Sequence, residues 1–274
     1  MLRNVCDVHT HTIYSRHAYS TIEECVRAAA AAGVELLGSA DHFGNMLYEN
    51  PSYLDFQYFI NRYLWPRTWM GVTVLRSAEA DITDLEGHLY GWDRYLNTSI
   101  TYEEVAPFTL LERVARDSDY LIASVHGKHW TQGATRAQLT DLYIKTMERN
   151  PKVLILGHIG RSGLDFEIDP VVEAARDLHR LVEINEHSFA YPPGRTRCRA
   201  IAERCAELGC PVTLCTDAHI ACDIGQMDHA LGMLDEIGFP EELLATRTPD
   251  AFLQAVVAAG LPNPLDSERP QPEA

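Results

Sequence analysis

Seven short apolar, β-prone runs, each followed by a helical pattern, limit the folds open to this chain more than any other feature. They lie near residues 5–9, 34–40, 72–78, 120–125, 153–157, 181–185 and 212–215. Strands that alternate with helices pair in parallel, because each crossover returns the chain to the same end of the sheet. Seven such units in about 260 residues predict one α/β domain built as a closed or nearly closed barrel, with an open doubly wound sheet as the alternative.

Helix signals fill the gaps. Ser20 and Thr21 each precede a glutamate by three residues, a capping-box pattern, and Gly33 ends the helix that follows. Residues 51–66 are rich in aromatics, including Tyr53, Phe56 and Phe59, and read as a helix stopped by Pro66. Further helices are expected over 101–117, 135–149, 169–179, 197–208, 223–236 and 249–259, with Gly209 closing the fourth of these six and Thr248-Pro249 opening the last. Residues 81–97 read as a loop or short hairpin. The domain is expected to span 1–261, leaving 262–274, which holds four of the 14 prolines, as a loose tail.

Composition excludes several functions. The formal charge of −16 repels phosphate backbones, so extended nucleic acid is an unfavourable partner. No apolar run approaches the roughly 20 residues that cross a bilayer, and no secretory leader precedes the first strand, so a cytoplasmic protein without a membrane partner is expected. The seven cysteines are odd in number, scattered and free of Cys-x-x-Cys pairs, as expected of small buried side chains and not of disulfides or a zinc finger. A homo-oligomer is compatible with this composition.

The chemistry is written at the strand ends. His9 and His11 follow the first strand, Asp41-His42 the second, Glu79 the third, His126 the fourth, His158 the fifth, and Asp217 with His219 the seventh. In a parallel barrel these ends meet at one mouth, where active sites lie. Imidazole and carboxylate ligands suit zinc, iron and manganese. Any one histidine at a strand end is an ordinary loop residue; six strands of seven ending this way imply a metal centre. The sixth ends in Glu183-Ile184-Asn185, suited to supporting the ligands. His179 and His229 fall within helices, and His88 has no assigned role. His129 and His187, in loops near the mouth, are candidates to touch substrate.

Asp7-Val8-His9-Thr10-His11-Thr12, Ala40-Asp41-His42, Glu79-Ala80, His126, His158 with Gly160, and Thr216-Asp217-Ala218-His219 together resemble the PHP (polymerase and histidinol phosphatase) family over about residues 5–260. His17-Ala18-Tyr19-Ser20-Thr21, with Phe59-Ile60-Asn61 and Trp65-Pro66-Arg67, is similar to its stand-alone YcdX-type phosphatases. The resemblance implies a distorted (β/α)7 barrel with three divalent metals at its mouth, commonly zinc, with iron or manganese also used. It assigns His9, His11, Glu79 and Asp217 to a first metal. A second would be held by Glu79 as bridge with His126 and His158, and a third by His17, His42 and His219. Only the resemblance finds His17, which lies in a loop. The stretch Gly127-Lys128-His129-Trp130 and residues 82–98 depart from the family pattern.

Three clustered divalent ions suit hydrolysis of a small phosphomonoester by a metal-bridged hydroxide. Glu79 would bridge metals and Asp217 would also orient the attacking water. Arg161, Lys128 and Arg195 are candidate phosphate clamps. The alternatives are a histidinol-phosphate phosphatase, a phosphodiesterase or exonuclease of the PHP type and, more remotely, an amidohydrolase or a non-catalytic metal-binding module.

Overall fold

A computed structural model describes residues 2–47, 56–99, 101 and 103–266. Its centre is seven parallel strands in sequence order: β1 (Cys6–Thr10), β2 (Leu36–Ser39), β3 (Val72–Asp81), β4 (Tyr120–Ser124), β5 (Val153–Leu156), β6 (Leu181–Asn185) and β7 (Val212–Cys215). Every residue of β4 to β7 is buried, as in strands covered on both faces.

The sheet curls until its ends meet. Thr10 pairs with Ala218, the Asp217 amide donates to the His9 carbonyl at 2.9 Å, and the His11 amide donates to the Ala218 carbonyl at 2.9 Å. Buried Asp7 fastens the seam. Its carboxylate accepts the Thr216 hydroxyl at 2.6 Å, the Thr216 amide at 3.1 Å and the Gly225 amide at 3.2 Å. The interior is filled from the far wall, where the Tyr120 hydroxyl donates to the Val8 carbonyl at 2.6 Å. Gly38 makes room for it: a Cβ there would meet the Tyr120 hydroxyl and come within 2.6 Å of the Val8 oxygen.

The helices are α1 (Ile22–Ala31), α2 (Gln57–Asn61), α3 (Leu110–Arg116), α4 (Arg136–Arg149), α5 (Ile168–Asp177), α6 (Pro192–Leu208), α7 (Asp228–Glu236) and α8 (Pro249–Ala258). Thr21 and Glu24 form the capping box of α1, while the Ser20 hydroxyl instead accepts the Ala221 amide at 2.9 Å. No described helix is long and apolar enough to cross a membrane. Six cysteines are buried and only Cys222 is exposed, all of them free thiols.

Three expectations change. Residues 104–109 are not helical: Glu104–Thr109 pairs antiparallel with Tyr95–Thr98, and the helix starts only at Leu110, capped by Thr109 and Glu112. Pro107 explains this, since inside a helix it would lack a donor and clash with the preceding turn. Among the described residues of the aromatic stretch, α2 gives way to a 3-10 turn at Arg62–Leu64 and does not run on to Pro66; residues 51–55, with Tyr53, lie outside the described residues. Conversely, α6 begins five residues before Arg197, because Pro192 fits the first helical turn. Of the expected C-terminal tail, residues 267–274 lie outside the described residues.

Candidate metal centre

The parallel strands deliver their carboxyl ends to one place. His9 sits on β1 and Glu79 on β3, directly opposite His42 of the short strand His42–Phe43. Glu79 is fully buried and lies between two groups of rings. Its Oε1 is 2.7 Å from His158 Nε2 and 3.4 Å from both His9 Nε2 and His126 Nε2. Its Oε2 is 2.7 Å from His42 Nδ1 and 3.5 Å from His11 Nε2. Asp217 approaches from beyond β7, with Oδ1 2.9 Å from His11 Nε2 and 3.6 Å from His9 Nε2.

Four rings are held by the nitrogen that faces away from this cluster. His9 Nδ1–H donates to Glu183 at 2.7 Å and His126 Nδ1–H to Asp81 at 2.6 Å. His11 Nδ1–H donates to the Ser15 hydroxyl at 3.0 Å, which donates in turn to Asp41 at 2.7 Å. His219 Nδ1–H donates to the Asp217 carbonyl at 2.9 Å. Fixing the proton on Nδ1 leaves Nε2 bare and directed inward, the arrangement that a metal-ligating imidazole requires.

The inward atoms fit cations. His9 Nε2, His11 Nε2, His42 Nδ1, Glu79 Oε2 and Asp217 Oδ1 are buried and form no hydrogen bond, although several lie within 3 Å of one another. Each buried polar atom left so costs about 1–3 kcal/mol unless something binds it. His17 adds another convergence, its Nε2 lying 3.2 Å from His42 Nε2 and 3.1 Å from His219 Nε2. One proton can bridge only one of these pairs; a cation can satisfy all three rings. Three overlapping groups could hold a metal: His9, His11, Glu79 and Asp217; His42, Glu79 and His126; and His11, His42 and His219.

Two residues of the cluster carry strained backbones. His158 has φ +31° and Asp217 φ +59°, in the region that favours glycine. The Glu183 carboxylate pins the first by accepting the His158 amide at 2.6 Å, and the barrel seam pins the second. Burial opposes charge on Glu79, yet His126, His9 and His42 hold its carboxyl well below the ordinary range. Burial likewise opposes Asp217, and His9, His11 and Arg161 keep it ionised. His9 is lifted well above its usual value by Glu183, Glu79 and Asp217 against burial, whereas burial and His42 push His11 well below.

The structure thus gathers all nine residues of the expected ligand set, with a different neighbourhood for some. His42 stands beside Glu79 and His126, and His11 reaches toward both Asp217 and the His42–His219 group. Asp41, one of the metal-capable strand-end residues, turns instead to Thr12, Ser15 and Ser39 and braces the loop that carries His11. Arg161 contacts Asp217 Oδ2 through its guanidinium. Lys128, His129 and Arg195 are exposed and form no hydrogen bond or ion pair with the cluster among the described residues; Arg195 donates to the Phe189 carbonyl at 3.3 Å. His187 is exposed and lines a cleft with Asp217 and His219. His88 pairs with Asp84 at 2.7 Å and stacks on Trp92. The supporting roles of Asp81 and Ser15 were not legible in the sequence, for they depend on which loops meet.

Comparison with known proteins agrees with this architecture. A probable phosphatase of Clostridium acetobutylicum is 33% identical over 261 residues, covering 94% of this chain and 97% of that one. Another probable phosphatase, from Caldanaerobacter subterraneus, is 34% identical over 255 residues, 92% of this chain and 91% of its own. Among solved structures, the histidinol phosphate phosphatase of Lactococcus lactis, crystallised with zinc, L-histidinol and phosphate, superposes with a TM-score of 0.56 at 15% identity, covering 88% of this chain and 95% of that chain. The family model described as the PHP domain matches residues 7–187, which run from β1 through Glu183 and His187. By that match and those relatives, the chain belongs to the PHP domain family.

Proposed function

We propose that this chain is a metal-dependent phosphatase that hydrolyses a small phosphomonoester, with His9, His11, His17, His42, Glu79, His126, His158, Asp217 and His219 holding up to three divalent cations. The observation that carries the reading is the set of buried inward atoms with no hydrogen bond, grouped into three overlapping ligand sets around Glu79. The histidine-rich donor set suits zinc, iron or manganese. Bound there, such cations supply Lewis acidity toward phosphoryl oxygens and activate water near neutral pH.

The chain's own contribution is placement. Glu79 stays ionised between two groups of rings and would help hold the cations bound by either group. Asp217 stays ionised under Arg161, so the guanidinium holds one carboxylate oxygen while the other faces His9 and His11. Arg161 also offers donors to a phosphoryl group at the mouth. In the reaction, water forms a new P–O bond as the bond to the alcohol breaks. One water proton ends on the alcohol oxygen and the other stays with the released phosphate.

The test is metal content alongside p-nitrophenyl phosphate hydrolysis for wild type and His42→Ala. Two to three metals per chain, activity lost on chelation and restored by metal, and activity in the variant lowered by about tenfold or more support the proposal. Full metal occupancy without hydrolysis of any phosphomonoester, or no metal bound on reconstitution, overturns it.

A further inference from the structure

A cleft of about 310 Å³ opens beside the metal centre, between the loop after β5 and the start of α6. Arg161, whose guanidinium touches Asp217, forms its inner wall, and Tyr191 and Arg197 form the opposite side. The wall is tightly built. A Cβ at Gly160 would lie 2.5 Å from Cys198 Sγ, so the loop packs directly on α6. Arg197 is held in place, donating to the Phe166 carbonyl at 2.9 Å with its guanidinium 4.5 Å above the Phe166 ring. A third cation stands at the rim, since a Cβ at Gly163 would lie 2.7 Å from Lys128 Nζ. The one acid in the lining, Asp165, is 76% exposed and lies 3.5 Å from Arg136.

Beyond the Arg161–Asp217 ion pair, the cleft thus gathers Arg197 and Lys128, neither with an acidic partner among the described residues, in a chain whose formal charge is −16. Cations kept together against that background, two of them oriented arginines, have the chemistry of an oxyanion site. Its volume suits a small organic fragment. We infer that this cleft receives the alcohol portion of the substrate and recognises a second anionic group on it, a carboxylate or another phosphate, through Arg197, Lys128 and the free edge of Arg161. This inference rests on the phosphatase reading above. It specifies the substrate class: phosphomonoesters of hydroxy acids, or bisphosphates.

The test compares three-carbon substrates on the metal-loaded enzyme: glycerol 3-phosphate, 3-phosphoglycerate and propane-1,3-diol bisphosphate. At least one of the two with a second anion should exceed glycerol 3-phosphate in kcat/KM by about tenfold or more, the range of one or two charge-assisted hydrogen bonds. Which of them leads distinguishes carboxylate from phosphate. Arg197→Ala should shrink that ratio toward unity, and Arg197→Lys should retain part of it. Calorimetric titration gives a second readout: glycerate should bind the wild-type enzyme about tenfold more tightly than glycerol, and Arg197→Ala should lose the difference. Hydrolysis of p-nitrophenyl phosphate with equal efficiency on all three substrates overturns this inference and leaves the phosphatase reading intact. No hydrolysis of any of the four overturns the phosphatase reading itself.

Discussion

Glu183→Gln changes one atom type in a fully buried side chain that serves two residues of the proposed metal centre at once. Glu183 accepts the His9 ring at 2.7 Å through Oε1 and the His158 amide at 2.6 Å through Oε2. Both partners are donors, so both oxygens are needed. Glutamine offers one oxygen and one amide. If the oxygen keeps the His158 amide, the new N–H groups face His9 Nδ1–H, and the ring must move its proton to Nε2 to accept. That proton then points at Glu79 and Asp217, where a cation needs a lone pair. If the oxygen keeps His9, the strained backbone at His158 loses its anchor. Either way the expected cost is about ten- to a hundredfold in metal affinity, roughly 1.4–2.7 kcal/mol. The assay is competition for zinc against a chromophoric chelator, with circular dichroism as the control for folding. Activity of the variant should recover as metal is raised to saturation. A folded Glu183→Gln protein that binds zinc as tightly as wild type, within about twofold, refutes the reasoning.

Asp7→Ala removes the acceptor for three donors at the barrel seam, two of them buried, and should cost about 2–4 kcal/mol, read from urea denaturation at fixed metal concentration; a loss below about 1 kcal/mol would show that the carboxylate does not fasten the seam. Gly38→Ala should cost about 1–3 kcal/mol in the same assay by overpacking Val8 and Tyr120, and Tyr120→Phe should recover part of it; equal stability of Gly38→Ala and wild type would contradict the close approach. Burial opposes the charged form of His126, but Glu79 and Asp81 raise its pKa from 6.5 to about 10. That raised value stabilises the metal-free fold fully below pH 6.5, and the contribution is lost as pH rises through 10. Metal must displace the same proton, so zinc affinity should rise with pH over this window while metal-free stability falls; parallel trends in denaturation and chelator competition would refute the linkage.

The barrel was readable because each strand is a compact apolar run that a turn or helix cap ends cleanly; Leu181–Asn185 and Val212–Cys215 have the expected limits. The candidate ligands were readable because histidine and carboxylate are uncommon where a buried strand ends. Their partnerships were not, because proximity to Glu79 depends on barrel stagger, a property of the closed sheet and not of any segment. His42 illustrates this: its neighbour across the sheet is Glu79, through a two-residue strand too short for any periodic pattern. The hairpin Tyr95–Thr98 with Glu104–Thr109 was missed for another reason. Charged and apolar residues there mimic a helical face, and the single imide of Pro107 outweighs that pattern.

The seam between β1 and β7 also sets when this protein can become whole. Asp7 meets Thr216 across 209 residues, and His17 meets His219 across 202. His9, His11 and His17 are made long before Asp217 and His219, their partners at the seam, which follow the last strand. Such distant pairings make folding slow, since the loop-closure entropy is lost before the contacts form. On the proposed assignment, the two ligand sets that use Asp217 or His219 stay incomplete until the last strand is placed, whereas Glu79, His126 and His158 all precede it; a cation bound at the seam would lock β1 to β7.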